Sequence, residues 1–235
     1  MGRAQRHAGR DVSGADPAAC PGGSRSIETV VTYLEMTAPP AQPPRPAPRQ
    51  GLEIRRAGRP TVSFYRYLYA AVGEPWTWTV RRWLSDAELA AILNDPRVEV
   101  NVLWAGGVPA GYAELDRRAP PDVELAYFGL MPEFIGQGLG AYLLDWAIHH
   151  AWRARPRRFW LHTCDLDHPR ALDLYQRLGF CIYDRQTSAQ DLPPGWPRRR
   201  PRAELSPDRQ ASVDRSEEAL PDNLEDSPGG APSGA

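Results

Sequence analysis

Hydrophobic and polar positions alternate along this chain with two different periods, which predicts strands in some segments and helices in others. Short apolar runs and period-2 alternation predict strands at 27–36, 52–55, 98–104, 111–115, 123–130, 159–164 and 180–184. Apolar residues three and four positions apart predict helices at about 60–73, from 85 onward, at 139–152 and at 169–179. From residue 52 the order is therefore β, α, α, β, β, β, α, β, α, β, an α/β pattern.

Two short signals locate element ends more sharply than the periodicity does. Ser85 and Glu88 form a capping box ahead of the apolar residues of the second helix, so this helix is expected to begin there. Gly106 and Gly107 separate two strand segments, and a glycine pair between strands is typical of a β-hairpin.

Composition divides the 235 residues into one domain with two polar ends. Residues 1–26 and 188–235 are poor in core-forming side chains and are expected to be disordered tails. Residues 27–50 are expected to hold a strand that adds to a sheet edge, followed by a proline-rich linker. The domain itself is expected to span residues 51–187, where most aromatic and branched side chains lie.

The charge balance argues against nucleic-acid binding. All 28 basic residues are arginine and 29 residues are acidic, so no basic field is expected, and we interpret the arginine cluster at 198–202 as solvated tail. Three cysteines are too few for a disulfide framework, which favours a reducing cytoplasm. No apolar run reaches the roughly 20 residues that span a bilayer, so no membrane partner is expected.

The segment Glu124–Tyr142 carries the most specific chemical signal. An apolar strand is followed by a turn, and then Gly136, Gly138 and Gly140 lead into a helix. Glycines at such a junction let backbone N–H groups approach an anion, and the helix N-terminus adds a partial positive charge. The segment therefore predicts a site for a phosphorylated cofactor. Gly136, Gly138 and Ala141 also satisfy the dinucleotide pattern G-x-G-x-x-G/A, which leaves an NAD-dependent enzyme as an alternative.

Two segments together resemble the GNAT acyltransferases. The run LMP at 130–132, followed by IGQGLG at 135–140, is similar to their motif A, written Q/R-x-x-G-x-G/A after a strand that ends V-x-P. The run from 167 to 180 is similar to their N-x-x-A-x-x-x-Y…GF segment. Ile135 stands in the Gln/Arg position of the first motif, and His168 stands in the Asn position of the second.

This resemblance covers roughly residues 50–187 and implies a GNAT-like acyl-CoA N-acyltransferase fold, a mixed and mostly antiparallel sheet flanked by helices. It also implies acetyl-CoA as the acyl donor, without a metal. Strands 123–130 and 159–164 would splay apart so that the pantetheine arm replaces a strand partner, and an amide near Leu130 would polarise the thioester carbonyl. The residues expected to contact the cofactor are Leu130, Met131, Gly136, Gln137, Gly138, Leu139, Gly140, Ala141 and His168.

Two residues match positions where the family carries acid–base groups. Glu124 stands at the offset of a general base that would take the proton from an ammonium substrate. A strand-end carboxylate in a solvated pair with an arginine is the alternative for Glu124. Tyr175 matches the tyrosine that would protonate the departing thiolate, although its helical spacing to Leu172 and Leu178 fits a core residue as well.

The resemblance places the acceptor near Trp76 and Trp78, because the connection between the first two helices shapes that site in the family; simple packing is the alternative for each ring. These aromatic residues favour a small-molecule amine or a peptide N-terminus over a polyanion. His162 and Cys164 alternate on a strand without a second ligand pair, so neither a metal site nor a cysteine nucleophile is expected.

The sequence thus favours a cytoplasmic N-acetyltransferase that moves the acetyl group directly to a primary amine in a ternary complex, as a monomer or a homodimer. A non-catalytic acyl-CoA sensor of the same fold is one alternative, and Ile135 and His168 favour it. The NAD-dependent enzyme is the other. It is less compatible with the chain because residues 131–135 separate the strand from Gly136 and no further βαβ units follow.

Overall fold

A computed structural model describes residues 25–192, and its elements follow the predicted order. The strands are β1 (Arg25–Met36), β2 (Leu52–Arg56), β3 (Val98–Ala105), β4 (Val108–Asp116), β5 (Val123–Leu130), β6 (Phe159–Cys164) and β7 (Cys181–Leu192). The helices are α1 (Val62–Gly73), α2 (Val80–Trp83), α3 (Asp86–Leu93), α4 (Leu139–Trp152) and α5 (Ala171–Arg177). The short helix α2 was absent from the prediction because four residues are too few to give a periodic signal.

The seven strands described for residues 25–192 form one sheet in the order β2-β3-β4-β5-β6-β1-β7. β5 and β6 pair in parallel, and the other neighbouring strands pair antiparallel. The mixed and mostly antiparallel sheet expected from the sequence is therefore confirmed.

Both local signals are also confirmed. The Glu88 N–H donates to Ser85 Oγ at 3.3 Å, and the Ser85 N–H donates to Glu88 Oε2 at 2.7 Å, which is the reciprocal pattern of a capping box. Gly106 and Gly107 join β3 to β4 with φ angles of 59° and 86°. A two-residue hairpin turn of this type needs positive φ at both positions, which glycine adopts at little cost.

The position of β1 corrects the predicted domain organisation. The sequence predicts an edge strand, but β1 lies inside the sheet, antiparallel to β6 on one side and to β7 on the other. Pairing on both sides satisfies its backbone groups more fully than an edge would, and Leu34 enters the core completely. The domain therefore begins before residue 51, and it extends past residue 187 because β7 continues to Leu192. The remainder of the two predicted tails lies outside the described residues.

The proline-rich linker is attached to the domain by polar contacts. Residues 37–51 lead from β1 to β2, which belong to opposite halves of the sheet order. On the way, the Arg45 N–H donates to Asp145 Oδ2 at 2.8 Å, and the Gln42 carbonyl oxygen lies 3.0 Å from His149 Nε2. The linker thus follows α4, which carries both side chains.

The sheet separates two hydrophobic clusters. On one face α4 and α5 pack, with Leu143 and Ala147 of α4 fully buried. On the other face α1 and α3 pack, with Leu68 and Leu89 fully buried. Trp146 of α4 is half-buried: it packs against the edge of this core and stacks on the ring of His150. Within residues 25–192, no helix is long and apolar enough to cross a bilayer.

Candidate active site

The parallel strands β5 and β6 separate soon after they meet. They pair only at Val123 with Phe159 and at Glu124 with Trp160, although β5 continues to Leu130 and stays paired with β4 to that end. Residues 125–130 therefore have no strand partner on the β6 side, and we call this opening the strand gap. An extended ligand with amide groups can occupy the gap and form hydrogen bonds of the kind that a strand would form.

One amide of the strand gap has a clear direction. The Met131 N–H donates to the Ala110 carbonyl oxygen at 2.9 Å, toward β4. Because successive amides of a strand point to opposite sides, the Leu130 N–H points into the strand gap, as the prediction for Leu130 requires. The Met131 carbonyl oxygen accepts from Phe134 N at 3.0 Å, and its side chain is buried, so its N–H and side chain are not available to a ligand. The predicted cofactor contact of Met131 stays a prediction.

The glycine turn that follows β5 has the geometry of an anion cradle. Gly136 and Gly138 adopt φ angles of 90° and 76°, in the left-handed region that glycine favours. Gly138 is the N-cap of α4, no side chain caps the helix there, and the space around a Cβ at Gly138 is open. The first amides of α4, beginning with Leu139, thus lack side-chain acceptors and can bind an anion.

Side chains around the cradle contribute less than its backbone does. Gln137 donates its side-chain N–H to the Glu133 carbonyl oxygen at 2.8 Å, so this predicted contact residue braces the turn. Ile135 is exposed and offers no polar atom. A Cβ at Gly140 would lie 3.7 Å from the side chains of Leu130 and Leu174, an ordinary van der Waals distance, so this glycine is not required by crowding. The neighbouring Ala141 is half-buried in the first turn of α4.

Together, the strand gap and the cradle fit coenzyme A. The gap offers an unpaired strand edge for the pantetheine arm, and the cradle offers uncapped amides at a helix N-terminus for the diphosphate. The two features are joined by the short turn at Pro132–Phe134, so one ligand can reach both.

The predicted base Glu124 lies at the point where β5 and β6 separate. Its carboxylate is 3.6 Å from His162 Nδ1, and its side chain is 20% exposed to solvent. His162 comes from β6 and is about half exposed. The sequence suggested His162 only as a metal ligand or as the partner of a Cys164 nucleophile, and both were rejected. The pairing with Glu124 was missed because the two residues are far apart in the chain and meet through the parallel register of β5 and β6.

The predicted acid Tyr175 is buried against the strand gap. Its ring makes edge contacts with Phe128 of β5 and with Phe180, each at a centroid distance of 6.1 Å. Burial raises the pKa of Tyr175 far above its ordinary value, and the charge of Asp167 adds to the effect. The Tyr175 hydroxyl therefore keeps its proton at neutral pH. The contact with Phe128 places it beside the segment of β5 that has no β6 partner.

The two tryptophans of the predicted acceptor loop contact the segment that follows β6. Trp78 donates its Nε1–H to Asp167 Oδ1 at 3.2 Å, and its ring lies 5.3 Å from that of Tyr127. Trp76 makes an edge contact with the predicted cofactor residue His168 at 5.0 Å. Both tryptophans thus have packing roles, and their part in substrate binding stays a prediction.

His168 also shapes the start of α5. Its Nδ1 accepts from the Arg170 N–H at 3.1 Å, so the neutral ring carries its proton on Nε2. Burial, with a smaller effect of Arg170, lowers the pKa of His168, which keeps the ring neutral. A neutral His168 beside Trp76 can donate one hydrogen bond, as the asparagine in the same position of the motif would.

Sequence reasoning also missed a buried ion pair behind the acceptor loop. Arg81 of α2 donates to Glu114 Oε1 of β4 at 2.7 Å, and the Tyr65 hydroxyl donates to the other oxygen of Glu114. Burial raises the pKa of Glu114, and Arg81 and Tyr65 offset part of that effect. The guanidinium carbon of Arg81 lies 5.2 Å from the centroid of the Tyr127 ring. An acidic residue inside the otherwise apolar strand was the signal available in the sequence.

Known proteins resemble this chain over the region just described. A family model described as the acetyltransferase (GNAT) family matches residues 63–180. Two proteins named uncharacterized N-acetyltransferase, from Mycobacterium bovis and Mycobacterium tuberculosis, are each 34% identical over 104 residues. The match covers 44% of this chain and 66% of each relative, so the chain spans just under two thirds of their length.

Solved structures show the same fold at low sequence identity. A GCN5-related N-acetyltransferase from Sphaerobacter thermophilus superimposes with a TM-score of 0.51 at 18% identity, over 72% of this chain and 53% of that one. A putative GNAT acetyltransferase from Novosphingobium aromaticivorans superimposes with a TM-score of 0.50 at 23% identity, over 75% of this chain and 70% of that one.

Proposed function

The chain belongs to the acetyltransferase (GNAT) family, and from this premise we propose that it moves an acetyl group from acetyl-CoA to a primary amine of a small molecule or a peptide N-terminus, by direct transfer in a ternary complex. The observation that carries the proposal is the strand gap beside the uncapped N-terminus of α4. When bound there, acetyl-CoA would supply an acetyl group activated as a thioester.

The cofactor would be held mainly by backbone groups. The amides from Gly136 to Ala141 would bind the diphosphate, with Gly138 setting the chain direction at the start of α4. The Leu130 N–H, which points into the strand gap, would donate to the thioester carbonyl oxygen. Such a preorganised donor acts on the charge that develops in acyl transfer, and losing one can reduce the rate by about a hundredfold or more.

Glu124 would prepare the amine for attack. A primary amine resembles the lysine side chain, whose pKa is about 10.4, so it arrives as an ammonium and must lose a proton. The Glu124 carboxylate would accept that proton, directly or through a water molecule, and His162 at 3.6 Å would share it. Tyr175, whose hydroxyl is protonated at neutral pH, would donate a hydrogen bond and then its proton to the departing thiolate; burial raises its pKa and therefore makes it a weaker acid in that step.

The sheet face next to Glu124 supports a small cationic or aromatic acceptor. His162 lies in ring contact with Tyr33 of β1 at 5.9 Å, and Tyr33 lies 6.0 Å from Tyr183 of β7. The guanidinium of Arg158 lies 5.4 Å from the centroid of the Tyr183 ring, so this face already accommodates a cation. We place the reaction in the cytoplasm, consistent with free Cys164 and Cys181, and in a monomer or a homodimer.

Thiol release from acetyl-CoA across a panel of amines and short peptides tests the proposal. Glu124→Gln should lower kcat by about 10²–10⁴-fold near neutral pH and recover as rising pH deprotonates the amine in solution. Tyr175→Phe should lower kcat while coenzyme A binding is retained. Glu133→Gln is the matched control and should leave both values unchanged, because Glu133 lies in the turn before the cradle with no acid–base role.

Two results would overturn the proposal, and a third would change the residues assigned to it. Thermal stabilisation by acetyl-CoA without thiol release on any amine would favour the non-catalytic sensor. Stabilisation by NAD but not by coenzyme A would favour the dinucleotide enzyme. If both Glu124→Gln and Tyr175→Phe keep full activity, acetyl transfer would stand, but neither residue would act in it as an acid or a base.

A further inference from the structure

A second cleft, which the proposed acetyl transfer does not use, lies between α1 and α2. Its volume is about 150 Å³, far above the roughly 10–15 Å³ that one water molecule needs. Its wall includes three arginines, two tyrosines and an alanine: Arg66, Arg81, Arg82, Tyr65, Tyr69 and Ala70. None of the described residues that line it is acidic. We call it the arginine cleft.

The carboxylates that pair with two of these arginines lie toward solvent. Arg66 Nη2 is 2.7 Å from Asp86 Oδ1, and the Asp86 side chain is 79% exposed. Arg82 Nη2 is 3.8 Å from Glu74 Oε2, and the Glu74 side chain is 61% exposed. Pairs with exposed carboxylates are screened by water and contribute little. Arg66 also donates to the Leu84 carbonyl oxygen at 2.8 Å, so its charge is partly satisfied, but no carboxylate lines the cleft itself among the described residues.

Arg81 supplies the most direct sign of a missing ligand. The residue is 8% exposed, and one terminal nitrogen donates to Glu114 at 2.7 Å. Its Nε is buried and has no hydrogen-bond partner among the described residues. A buried donor without an acceptor is costly, and a guanidinium matches the oxygens of a carboxylate or a phosphate especially well.

We propose that the arginine cleft binds a small anion through a carboxylate or phosphate group, with Arg81 Nε and the Arg82 guanidinium as its main donors. The site goes beyond the proposed acetyl transfer, and only its second possible ligand, the acidic end of the acceptor, rests on that function. Tyr69 connects the arginine cleft to the predicted acceptor loop and to β5. It lines the cleft, and the centroid of its ring lies 5.5 Å from that of Trp78 and 5.1 Å from that of Tyr127. The anion is therefore either a free one or the acidic end of the amine acceptor.

A matched pair of substitutions at Ala70 tests the site without removing an arginine. Ala70 lines the cleft on α1, and both Glu and Gln are compatible with a helix. Ala70→Glu would place a carboxylate in the cleft and compete with any anion, whereas Ala70→Gln has the same size without the charge. Arg55→Gln, on β2 with a 64% exposed side chain, controls for the general loss of one positive charge.

The measurement uses the full chain without acetyl-CoA, titrated with sodium phosphate or sodium acetate against sodium chloride of equal ionic strength. Calorimetry and thermal shift should show binding to the wild type, to Ala70→Gln and to Arg55→Gln. Ala70→Glu should raise Kd about tenfold or more. Equal behaviour of phosphate, acetate and chloride with the wild type would overturn the proposal, and so would undiminished binding to Ala70→Glu.

Kinetics with an amino acid and its amide then distinguish the source of the anion. If Ala70→Glu raises KM for the amino acid but not for the amide, the anion is the acidic end of the acceptor. If neither KM changes while phosphate or acetate binding is lost, the cleft takes a separate anion, which also supports the site. Because binding is measured without acetyl transfer, failure of this inference and failure of the proposed function are distinguishable.

Discussion

The two faces of the sheet differ in where they place charged side chains. The α4 face is an apolar core, and its charged cluster lies at the margin, where Glu99 contacts His150 and Arg117. The α1 face has a smaller apolar cluster with a charge pair, Arg81 and Glu114, inside it. The α4 face positions a backbone cradle, which needs only a rigid helix start. The α1 face carries the short helix α2 and the predicted acceptor loop around Trp76 and Trp78, which polar side chains hold in place.

The largest expected effect comes from breaking the central charge pair. Arg81→Met leaves the Glu114 carboxylate buried without its cation and should lower the free energy of unfolding by about 3–5 kcal/mol in urea denaturation. The double variant Arg81→Met/Glu114→Gln removes both charges and keeps an acceptor for the Tyr65 hydroxyl, so it should recover at least half of that loss.

A control on the other face sharpens this result. Leu143→Ala creates a cavity beneath α4 and should cost about 2–5 kcal/mol, with no effect on the coupling between Arg81 and Glu114. If the double variant were no more stable than Arg81→Met, the ion pair would not be the connection that fixes α2, and the contrast between the two faces would lose its basis.

An intermediate effect is expected at Asp167, which joins Trp78 of the predicted acceptor loop to the end of β6. Its carboxylate accepts from Trp78 Nε1 at 3.2 Å, from Thr163 Oγ1 at 2.7 Å and from the Cys164 N–H at 2.9 Å. Asp167→Ala should lower the unfolding free energy by about 1–3 kcal/mol and raise KM for the amine more than KM for acetyl-CoA.

Two further variants separate hydrogen bonding from charge at this position. Asp167→Asn keeps one carbonyl oxygen and should restore part of the loss. Asp173→Ala, at an exposed site in the first turn of α5, should change stability by less than about 0.5 kcal/mol. A rise in KM for acetyl-CoA alone, measured by steady-state kinetics, would contradict a role of Asp167 on the acceptor side.

The smallest expected effect lies at the margin of the α4 face. The hydrogen bond with His150, and then the one from Arg117, lower the pKa of Glu99 to about 2. A carboxyl group whose pKa is lowered by folding adds stability above its unfolded pKa of 4.5, and this contribution is lost as the pH falls toward about 2. After allowance for solvent screening, Glu99 should contribute about 1 kcal/mol at neutral pH.

Urea unfolding between pH 7 and pH 3 measures this contribution. Glu99→Gln should be about 1 kcal/mol less stable than the wild type at pH 7, and the difference should shrink as the pH falls below 4.5. A difference that stays constant over this range would mean that Glu99 acts through packing rather than through its charge.

Local features were predictable because their physical cause lies within a few residues. The cradle follows from glycines at fixed spacing, and Gly136 and Gly138 do adopt the angles that favour glycine. The start of α3 follows from Ser85 and Glu88, which contact each other across one helical turn. The roles of Glu124 and Tyr175 remain predictions, although both residues border the strand gap.

Long-range features were not predictable in the same way. The alternation of β1 indicates a strand but does not select its neighbours, and the structure places it between β6 and β7. The contact between Trp78 and Asp167 joins positions 89 residues apart.

The sequence by itself determined the elements, the hairpin, the cap and the glycine cradle, because each depends on backbone preferences and on neighbours a few positions away. The separation of β5 and β6 was expected from the family resemblance and not from the pattern of apolar residues. Only the tertiary structure decided where β1 pairs, that Glu124 meets His162, and that Arg81 is buried against Glu114 with one nitrogen unpartnered. Such features depend on which distant segments exclude water together, and a linear pattern of polar and apolar residues does not carry that information.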